Sequence, residues 1–263
     1  MEKIRIQKYF TDCALMSRRA AEKEILAGKV KVNGKVATIG TTIDPEGDVV
    51  EYKGKIVQAP RGAGTVCVML NKPRGYITTM SDDRGRHTVA ELVDDVGVRV
   101  YPIGRLDMDS DGLLLLTNNG ELANKLTHPR HGIQKTYRVK VRGGVSAQKL
   151  AALNAPMLID GYKTLPARVS VLETSGNNTV LSVVLSEGRN RQIRKMCESQ
   201  ELTVLRLTRT AIGNLTLSSL PRGKWRPLTP HEIRYLTDNS NSSKSNAPTE
   251  NKPSRGKEIN NHA

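Results

Sequence analysis

A run of four leucines that follows an acidic turn constrains this chain more than any other feature. Residues 104–122 read GRLDMDSDGLLLLTNNGEL. An uninterrupted apolar run of this kind is typical of a buried strand. The turn before it holds Asp107, Asp109 and Asp111 at alternate positions. The sequence therefore predicts a buried strand that holds a carboxylate-rich loop in place.

Three interpretations compete for this loop. The spacing DMDSDG matches the start of a calcium-binding EF-hand loop, but Asn118 stands where that loop needs its chelating glutamate, and there the match fails. Aspartates in turns also commonly accept hydrogen bonds from backbone N–H groups, which fits Asp109 and Asp111. The third interpretation is catalysis, because a carboxylate beside a guanidinium stays ionised and can act as a nucleophile or a base. Arg105 lies two residues before Asp107, so in an extended backbone both side chains point the same way.

The composition indicates a protein that binds a polyanion. The 263 residues carry a net charge of +15 and are enough for two domains. The N-terminus lacks an apolar signal core, and no long apolar span appears. The three cysteines are far apart and form no CxxC or Cys/His cluster, and no GxxxxGK[ST] loop is present. We therefore expect a cytoplasmic protein with no membrane segment, metal or cofactor, and a monomer because no coiled-coil repeat is visible.

Residues 1–60 are predicted to form a small RNA-binding module. Apolar residues at positions 6, 9, 10 and 13 follow helical spacing, and Ser17 is a candidate N-cap for a second helix that Gly28 ends. The segment VKVNGKV then alternates across an Asn-Gly turn, which is a strong hairpin signal. Basic side chains crowd these elements, among them Arg18, Arg19 and Lys31. The alternative is a solvated basic face without a ligand.

The rest of the chain reads as strands and helices followed by a tail. Residues 58–64 form a linker by composition, and strands are predicted at VCVML, KTYRV and LSVVL. The segment SEGRNRQIRKM is predicted to start a helix with Ile193, Met196 and Cys197 on one face. A disordered tail rich in Asn, Ser, Lys and Pro is predicted from Asp238 onwards. The predicted domains are therefore residues 1–60, 61–237 and 238–263.

These motifs resemble those of the RNA pseudouridine synthases, in particular the RsuA/RluB branch. GRLDMDSDGLLLLT is similar to the catalytic motif of that family, NKPRGY to its first motif and EGRNRQIRKM to its third. The helix, SRR helix and VxVNGK hairpin are similar to the S4-like RNA-binding domain. The resemblance spans about residues 3–236. It implies an α+β fold, in which a small S4-like domain of two helices and a hairpin precedes a catalytic domain built on a mixed, mainly antiparallel β-sheet flanked by helices.

The resemblance also implies roles for individual residues. It identifies Asp107 as the catalytic aspartate, Tyr137 as the ring that packs against the target uracil and Arg194 as the guanidinium that pairs with the catalytic carboxylate. Arg105 would fill the gap left by a flipped nucleotide, and Ile193 would help to wall the uracil pocket. Three further cations are expected to contact phosphates, namely Arg189, Arg191 and Lys195. On residue type alone, a helix that carries Arg and Lys is usually just solvated.

The implied activity is the isomerisation of uridine to pseudouridine in ribosomal RNA, after the base has left the helical stack. The long basic chain and EGRNRQIRKM resemble the large-subunit (23S) synthases more than the small-subunit (16S) ones, which are the alternative. The partner would be ribosomal RNA or a pre-ribosomal particle. A noncatalytic RNA-binding protein on the same scaffold fits the basic module equally well. A glycoside hydrolase with two carboxylates is disfavoured, because one Phe, one Trp and seven Tyr offer few sugar platforms.

Overall fold

The computed structural model describes residues 3–58, 64–128 and 132–239 of the chain. Most of the predicted linker and of the predicted tail therefore lies outside the described residues. The last helix extends to Asn239, so regular structure continues past the predicted start of the tail at Asp238. Among the described residues, no helix combines the length and the apolar character needed to cross a bilayer.

The N-terminal part contains two helices and two small sheets around one core. The helices are α1 (Ile6–Asp12) and α2 (Arg18–Leu26), and the strands are β1 (Ile4–Arg5), β2 (Val30–Val32), β3 (Lys35–Val36), β4 (Thr42–Ile43), β5 (Val50–Tyr52) and β6 (Lys55–Ile56). Strand β1 pairs with β4, and the other sheet has the order β3-β2-β5-β6. Ser17 caps α2 by accepting a hydrogen bond from Ala20 N, as its position predicts. The hairpin turn is confirmed at Asn33 and Gly34, which both have positive φ.

The second part is built on one nine-stranded sheet with the order β13-β14-β10-β15-β9-β7-β17, in which β16 pairs with β15 and β8 with β9. Its strands are β7 (Cys67–Lys72), β8 (Tyr101–Ile103), β9 (Asp111–Thr117), β10 (Lys135–Arg142), β13 (Arg168–Ser175), β14 (Asn178–Leu185), β15 (Thr203–Ile212), β16 (Leu215–Thr216) and β17 (Trp225–Pro227). A separate hairpin joins β11 (Leu158–Ile159) and β12 (Tyr162–Lys163). Among the described strands of this sheet, only β15 and β9 pair in parallel, so the predicted mixed, mainly antiparallel sheet is confirmed.

Helices cover both faces of this sheet. They are α3 (Gly120–Thr127), α4 (Ala147–Asn154), α5 (Gln192–Glu198) and α6 (Pro230–Asn239), and two short 3₁₀ helices lie at Val89–Leu92 and Asp94–Val96. Residues of α4 and α5 pack with Leu114 and Leu116 in one core, whereas residues of α3 and α6 pack with Leu113 and Leu115 in another. The leucine run is therefore buried because successive side chains of β9 enter different cores.

The sheet divides where β15 meets β9. The two strands pair only at Thr208 with Asp111 and at Arg209 with Gly112. Beyond this point β9 takes β8 as its neighbour and β15 takes β16, so the two halves of the sheet separate. Gly112 permits the close approach, because a Cβ there would lie 2.2 Å from the carbonyl oxygen of Arg209. The division leaves room for a cavity directly beside the acidic loop.

Candidate active site

A buried lysine holds the acidic loop in position. Lys72, at the end of β7, has no exposed surface, and its ammonium donates hydrogen bonds to the carbonyl oxygens of Pro73, Asp107 and Ser110 at 2.9–3.1 Å. Burial lowers the pKa of Lys72 to about 8, and the negative charge of Asp111 opposes this shift. The sequence analysis included Lys72 only as part of NKPRGY, the segment similar to the first family motif, and gave it no role of its own. The signal it missed is a cationic residue at the end of a strand that begins with a buried apolar run, Cys67–Leu70.

Asp111 and Asp109 do not have the role predicted for them. Both were expected to accept hydrogen bonds from backbone N–H groups of the turn, and this expectation is wrong. Asp111 is buried and accepts hydrogen bonds from the side chains of Arg206, at 2.5 Å, and Thr208. Asp109 forms ion pairs with two arginines of the EGRNRQIRKM segment. Each carboxylate therefore ties the loop to a distant part of the chain.

The arginine beside Asp107 is not the predicted one. The Nη1 atom of Arg191 lies 3.7 Å from the Asp107 carboxylate, whereas Arg194 forms its ion pair with Asp109, at 3.1 Å. Arg194 also donates to the carbonyl oxygen of Asp109. Arg191 adopts a left-handed backbone conformation just before α5, while Arg194 lies inside that helix and meets the other end of the acidic turn. The predicted pairing of Arg194 with Asp107 is therefore corrected to a pairing with Asp109.

A cavity of about 450 Å³ opens at the division of the sheet, beside Asp107. Tyr137 from β10 and Ile193 from α5 also line it, and both side chains are at least nine-tenths buried. The Asp107 side chain keeps 30 % of its surface exposed, so it is accessible from the cavity. This volume suits a small organic group with the dimensions of a nucleoside. The cavity thus combines a carboxylate, an aromatic ring and an apolar wall.

The remaining predicted cations have diverse positions. Arg105 and Arg189 are exposed and line the cavity, and the guanidinium of Arg189 lies 3.3 Å from the centre of the Tyr162 ring. Lys195 forms an ion pair with Asp160 and does not line the cavity. The three cations predicted for the N-terminal module are exposed on that module, outside the cavity: Arg18, Arg19 and Lys31.

Two further cations line the cavity that sequence reasoning did not single out. Arg209 is 4 % exposed and bridges the divided sheet, because its Nε atom donates to the carbonyl oxygen of Leu113 at 2.7 Å. Lys135 is half-buried on β10, two residues before Tyr137. Burial, and next the positive charge of Arg209, lower the pKa of Lys135 to about 8. The position of Lys135 on the strand face of Tyr137 was the available signal.

Comparison with known proteins agrees with this geometry. The sequence profile of the RNA pseudouridylate synthases matches residues 66–199, and that of the S4 domain matches residues 16–50. The ribosomal large subunit pseudouridine synthase B of Bacillus subtilis (strain 168) is 41% identical over 88% of this chain and 95% of its own length. The dual-specificity RNA pseudouridine synthase RluF of Escherichia coli (strain K12) is 38% identical over 88% of this chain and 77% of its own length.

A solved structure supports the same assignment at the level of the fold. A crystal structure of a pseudouridylate synthase superimposes with a TM-score of 0.64 at 29% identity, covering 89% of this chain and 99% of the other. The match includes both the N-terminal part and the divided sheet, because it extends over most of the chain. The carboxylate of Asp107 and the ring of Tyr137 line one cavity, as the motifs led us to expect. The sequence matches show that the chain belongs to the RNA pseudouridylate synthase family and carries an S4 domain at its N-terminus.

Proposed function

We propose that this RNA pseudouridine synthase acts on a uridine of large-subunit ribosomal RNA and that Asp107 is its catalytic carboxylate. The observation that carries the proposal is one cavity lined by a partly exposed carboxylate, the Tyr137 ring and several arginines. The large-subunit substrate is favoured by the similarity to the ribosomal large subunit pseudouridine synthase B of Bacillus subtilis. Small-subunit RNA is the alternative.

The reaction requires bond exchange without any change of redox state. The bond between ribose C1′ and uracil N1 breaks, and its electron pair leaves with the base. The base then turns and forms a bond from C5 to C1′, after which the C5 proton is lost and N1 holds a proton. Asp107 would start this sequence in one of two ways. It attacks ribose C1′, and the resulting ester bond breaks when C5 bonds to C1′, or it removes a proton from the ribose and returns it once the new bond has formed. The substrate and product are isomers, so the balance needs no oxidant or reductant.

Two of the three arginines in the third motif, Arg191 and Arg194, would have different roles. Arg191, 3.7 Å from Asp107, would favour its ionised form, because an opposite charge at this distance stabilises a carboxylate. Arg194 would act as a positioning residue, since it holds the side chain and the carbonyl oxygen of Asp109 and thereby the turn that carries Asp107. A loss of Arg194 would therefore move the catalytic acid, whereas a loss of Arg191 would change its charge environment.

The walls of the cavity would hold the detached base. Tyr137 would stack on the uracil, an interaction worth about 1–3 kcal/mol per base, and Ile193 would pack beside it. A uridine in a helix must leave its stack to enter such a cavity. Arg105, exposed at the cavity, is suited to fill the gap that the flipped nucleotide leaves. Arg189, at the same cavity, would contact a neighbouring phosphate.

The division of labour between domains belongs to the same proposal. Residues 1–60 would bind structured RNA through phosphate contacts, residues 61–237 would carry the reaction, and residues 238–263 would form a basic tail. Lys195 would contribute a phosphate contact outside the cavity once it exchanges Asp160 for RNA. We further propose that the enzyme works as a monomer in the cytoplasm, on ribosomal RNA or a pre-ribosomal particle.

The variant Asp107→Asn tests the assignment of the catalytic acid. It keeps the size of the side chain and removes its charge, so we expect a loss of isomerisation of at least about a thousandfold with RNA affinity within about threefold of the parent. Carbodiimide mapping of unmodified 23S and 16S transcripts measures the product, and filter binding measures affinity. If Asp107→Asn still converts uridine to pseudouridine, Asp107 is not the catalytic carboxylate.

The variant Asp94→Asn is a matched control, because Asp94 is exposed, and no ion pair or side-chain hydrogen bond involves it among the described residues. It should leave both the rate and the affinity unchanged. Modification of the 16S transcript alone would contradict the large-subunit proposal. If the parent protein modifies neither the transcripts nor ribosomal particles from a strain that lacks it, the noncatalytic alternative is supported.

A further inference from the structure

The cavity holds a positive charge that the proposed roles do not use. Lys135 lines the cavity, and no hydrogen bond or ion pair to its ammonium occurs within the described ranges 3–58, 64–128 and 132–239. Arg209 lies close enough to lower the pKa of Lys135, and its Nη2 atom is buried without a hydrogen-bond partner in those ranges. The carbonyl oxygens that Arg209 does contact, those of Leu113 and Arg105, carry no full charge.

Two positive charges in one partly desolvated cavity lower the stability of the folded protein unless an electron-rich group binds there. Burial removes water from an ammonium, and a second positive charge nearby raises the cost further. The other charged residues that line the cavity are Arg105, Asp107, Glu187, Arg189 and Arg191. Glu187 is buried, and its carboxylate already accepts from Leu165 N and from the side chains of Gln192 and Tyr162. Glu187 is therefore not free to pair with Lys135.

We propose that Lys135 is a catalytic residue that binds a carbonyl oxygen of the uracil and stabilises the negative charge that the base acquires when its bond to the ribose breaks. Arg209 adds to the positive potential at that point without needing direct contact. The inference rests on the proposed function of the cavity. The electron pair of the C1′–N1 bond moves onto the base and spreads to its carbonyl oxygens. Lys135 keeps its proton throughout, so it adds no step to the bond exchange.

The position of Lys135 favours the base over a phosphate. It lies two residues from Tyr137 on one face of β10, a separation of about 6.6 Å along a strand. If Tyr137 stacks on the uracil, the ammonium reaches the edge of the same ring. Two apolar residues line the cavity near Lys135. They are Leu185, which is paired with Lys135 on the neighbouring strand β14, and Ile212, which is paired with it on β15. Exposed arginines at the cavity are better placed for the backbone of RNA.

The variants Lys135→Met and Lys135→Arg test this role in single-turnover reactions. Met keeps the shape of the chain and removes the charge, and we expect the rate to fall by about 10²–10³-fold, as for the loss of one oxyanion-stabilising donor. Arg should recover part of the rate. The control is Lys140→Met, because Lys140 lies on the same strand with an exposed side chain and no ion pair or hydrogen bond in the described chain. It should react at the parental rate.

Stability separates this role from a structural one. Because Lys135→Met removes an uncompensated charge, we expect it to raise the melting temperature while it slows the reaction. A melting temperature below that of the parent would instead mean that Lys135 supports the fold. A stable Lys135→Met protein with the parental rate would overturn the inference and leave the proposed role of Asp107 intact. If the parent protein itself has no activity, the proposed function is contradicted, and the inference about Lys135 is contradicted with it.

The pH profile gives a second readout. Since Lys135 loses its proton near pH 8, the rate at subsaturating RNA should fall as the pH rises through about 8 in the parent. In Lys135→Arg this fall should move to a higher pH. Lys72, which also has a pKa of about 8, clamps the acidic loop from outside the cavity. A fall that persists in Lys135→Arg would assign the titration to Lys72 and count against Lys135.

An abasic RNA distinguishes the base from the phosphate. In the Asp107→Asn background, which does not turn over, Lys135→Met should weaken binding of RNA with the target uridine by about threefold to tenfold. It should leave binding of the same RNA with an abasic target site unchanged. Equal weakening of both RNAs would show that the ammonium contacts the sugar–phosphate backbone, and the inference would then be wrong.

Discussion

At the level of single residues, the site depends on contacts between parts of the chain that are distant in sequence. The sequence motifs predicted Asp107 and Tyr137 as residues of the site, and in the structure both line one cavity. The arginine beside Asp107 could not be identified in the same way. Arg191 and Arg194 are three residues apart, and it is Arg191, in a left-handed backbone conformation just before α5, that lies 3.7 Å from the Asp107 carboxylate. Sequence spacing defines which residues lie near a loop, but not which of two neighbouring guanidinium groups meets a carboxylate.

Gly112 provides the clearest test at this scale. A Cβ at this position would lie 2.2 Å from the carbonyl oxygen of Arg209, and the φ of +111° disfavours any side chain. The backbone of β15 cannot move away without losing the contact between β15 and β9. We therefore expect Gly112→Ala to lower the free energy of unfolding by about 3 kcal/mol or more, with loss of activity. Urea denaturation measures the first effect.

The matched control is Gly176→Ala. Gly176 also has a positive φ, of +56°, but no atom lies within 4 Å of the position of its Cβ. We expect Gly176→Ala to lower the free energy of unfolding by only about 1 kcal/mol, because alanine is less favourable than glycine in this backbone conformation. Similar losses in the two variants would mean that the strands separate easily at Gly112, which would contradict the close approach as a constraint on the site.

At the level of elements, local patterns predicted the pieces well. The capped second helix, the Asn-Gly hairpin, the leucine strand and the apolar face of α5 are confirmed. The division of the sheet was not predictable. It depends on β15 pairing with β9 for only two residues before each strand takes another neighbour, and such long-range pairing leaves no periodic signal in either segment. For the same reason Arg209 was indistinguishable from any other arginine on a strand.

Helix α6 offers a prediction about pH at this scale. Thr229 and Glu232 form a reciprocal capping box at its start, and Arg226 contacts the Glu232 carboxylate through two nitrogens. The hydrogen bonds from Arg226, above all, lower the pKa of Glu232 to about 2 from 4.5. The unfolded chain therefore takes up a proton at a higher pH than the folded one. This stabilisation should be complete above about pH 4.5 and should be lost as the pH falls towards 2.

The variant Glu232→Gln should lower the stability at neutral pH by about 2 kcal/mol and flatten the decline between pH 4.5 and 2. Thermal unfolding followed by circular dichroism across this range measures both effects. The control is Glu121→Gln in α3, because the Glu121 side chain is exposed and has no hydrogen bond or ion pair among the residues that the structure describes. An unchanged acid decline in Glu232→Gln would show that other carboxylates dominate it.

At the level of the whole molecule, charge is the property that the sequence predicted most directly. The net charge of +15 indicates a polyanionic partner, and the S4 domain and the synthase family agree with an RNA ligand. Composition cannot say where the RNA lies, because basic residues occur on both parts of the molecule. Some are already engaged: Arg206 is paired with Asp111, and Lys195 with Asp160. Exposed cations without an acidic partner are the better candidates for phosphate contacts.

Arg18, Arg19 and Lys31 are exposed, and none has an ion pair among the described residues. If each contacts one phosphate, each releases about one counterion when RNA binds, so log Kd depends less steeply on log salt once the cation is gone. We expect each single alanine variant to lower the slope by about 0.7–0.9 and the triple variant by about 2–3. The single-turnover rate at saturating RNA should stay at the parental value, because these cations lie outside the cavity.

Lys149→Ala, which removes one charge already paired with Glu201, is the control and should leave the slope unchanged. If the triple variant keeps the parental slope, RNA does not bind this face of the S4 domain, and the affinity must come from the catalytic domain or from residues outside the described ranges.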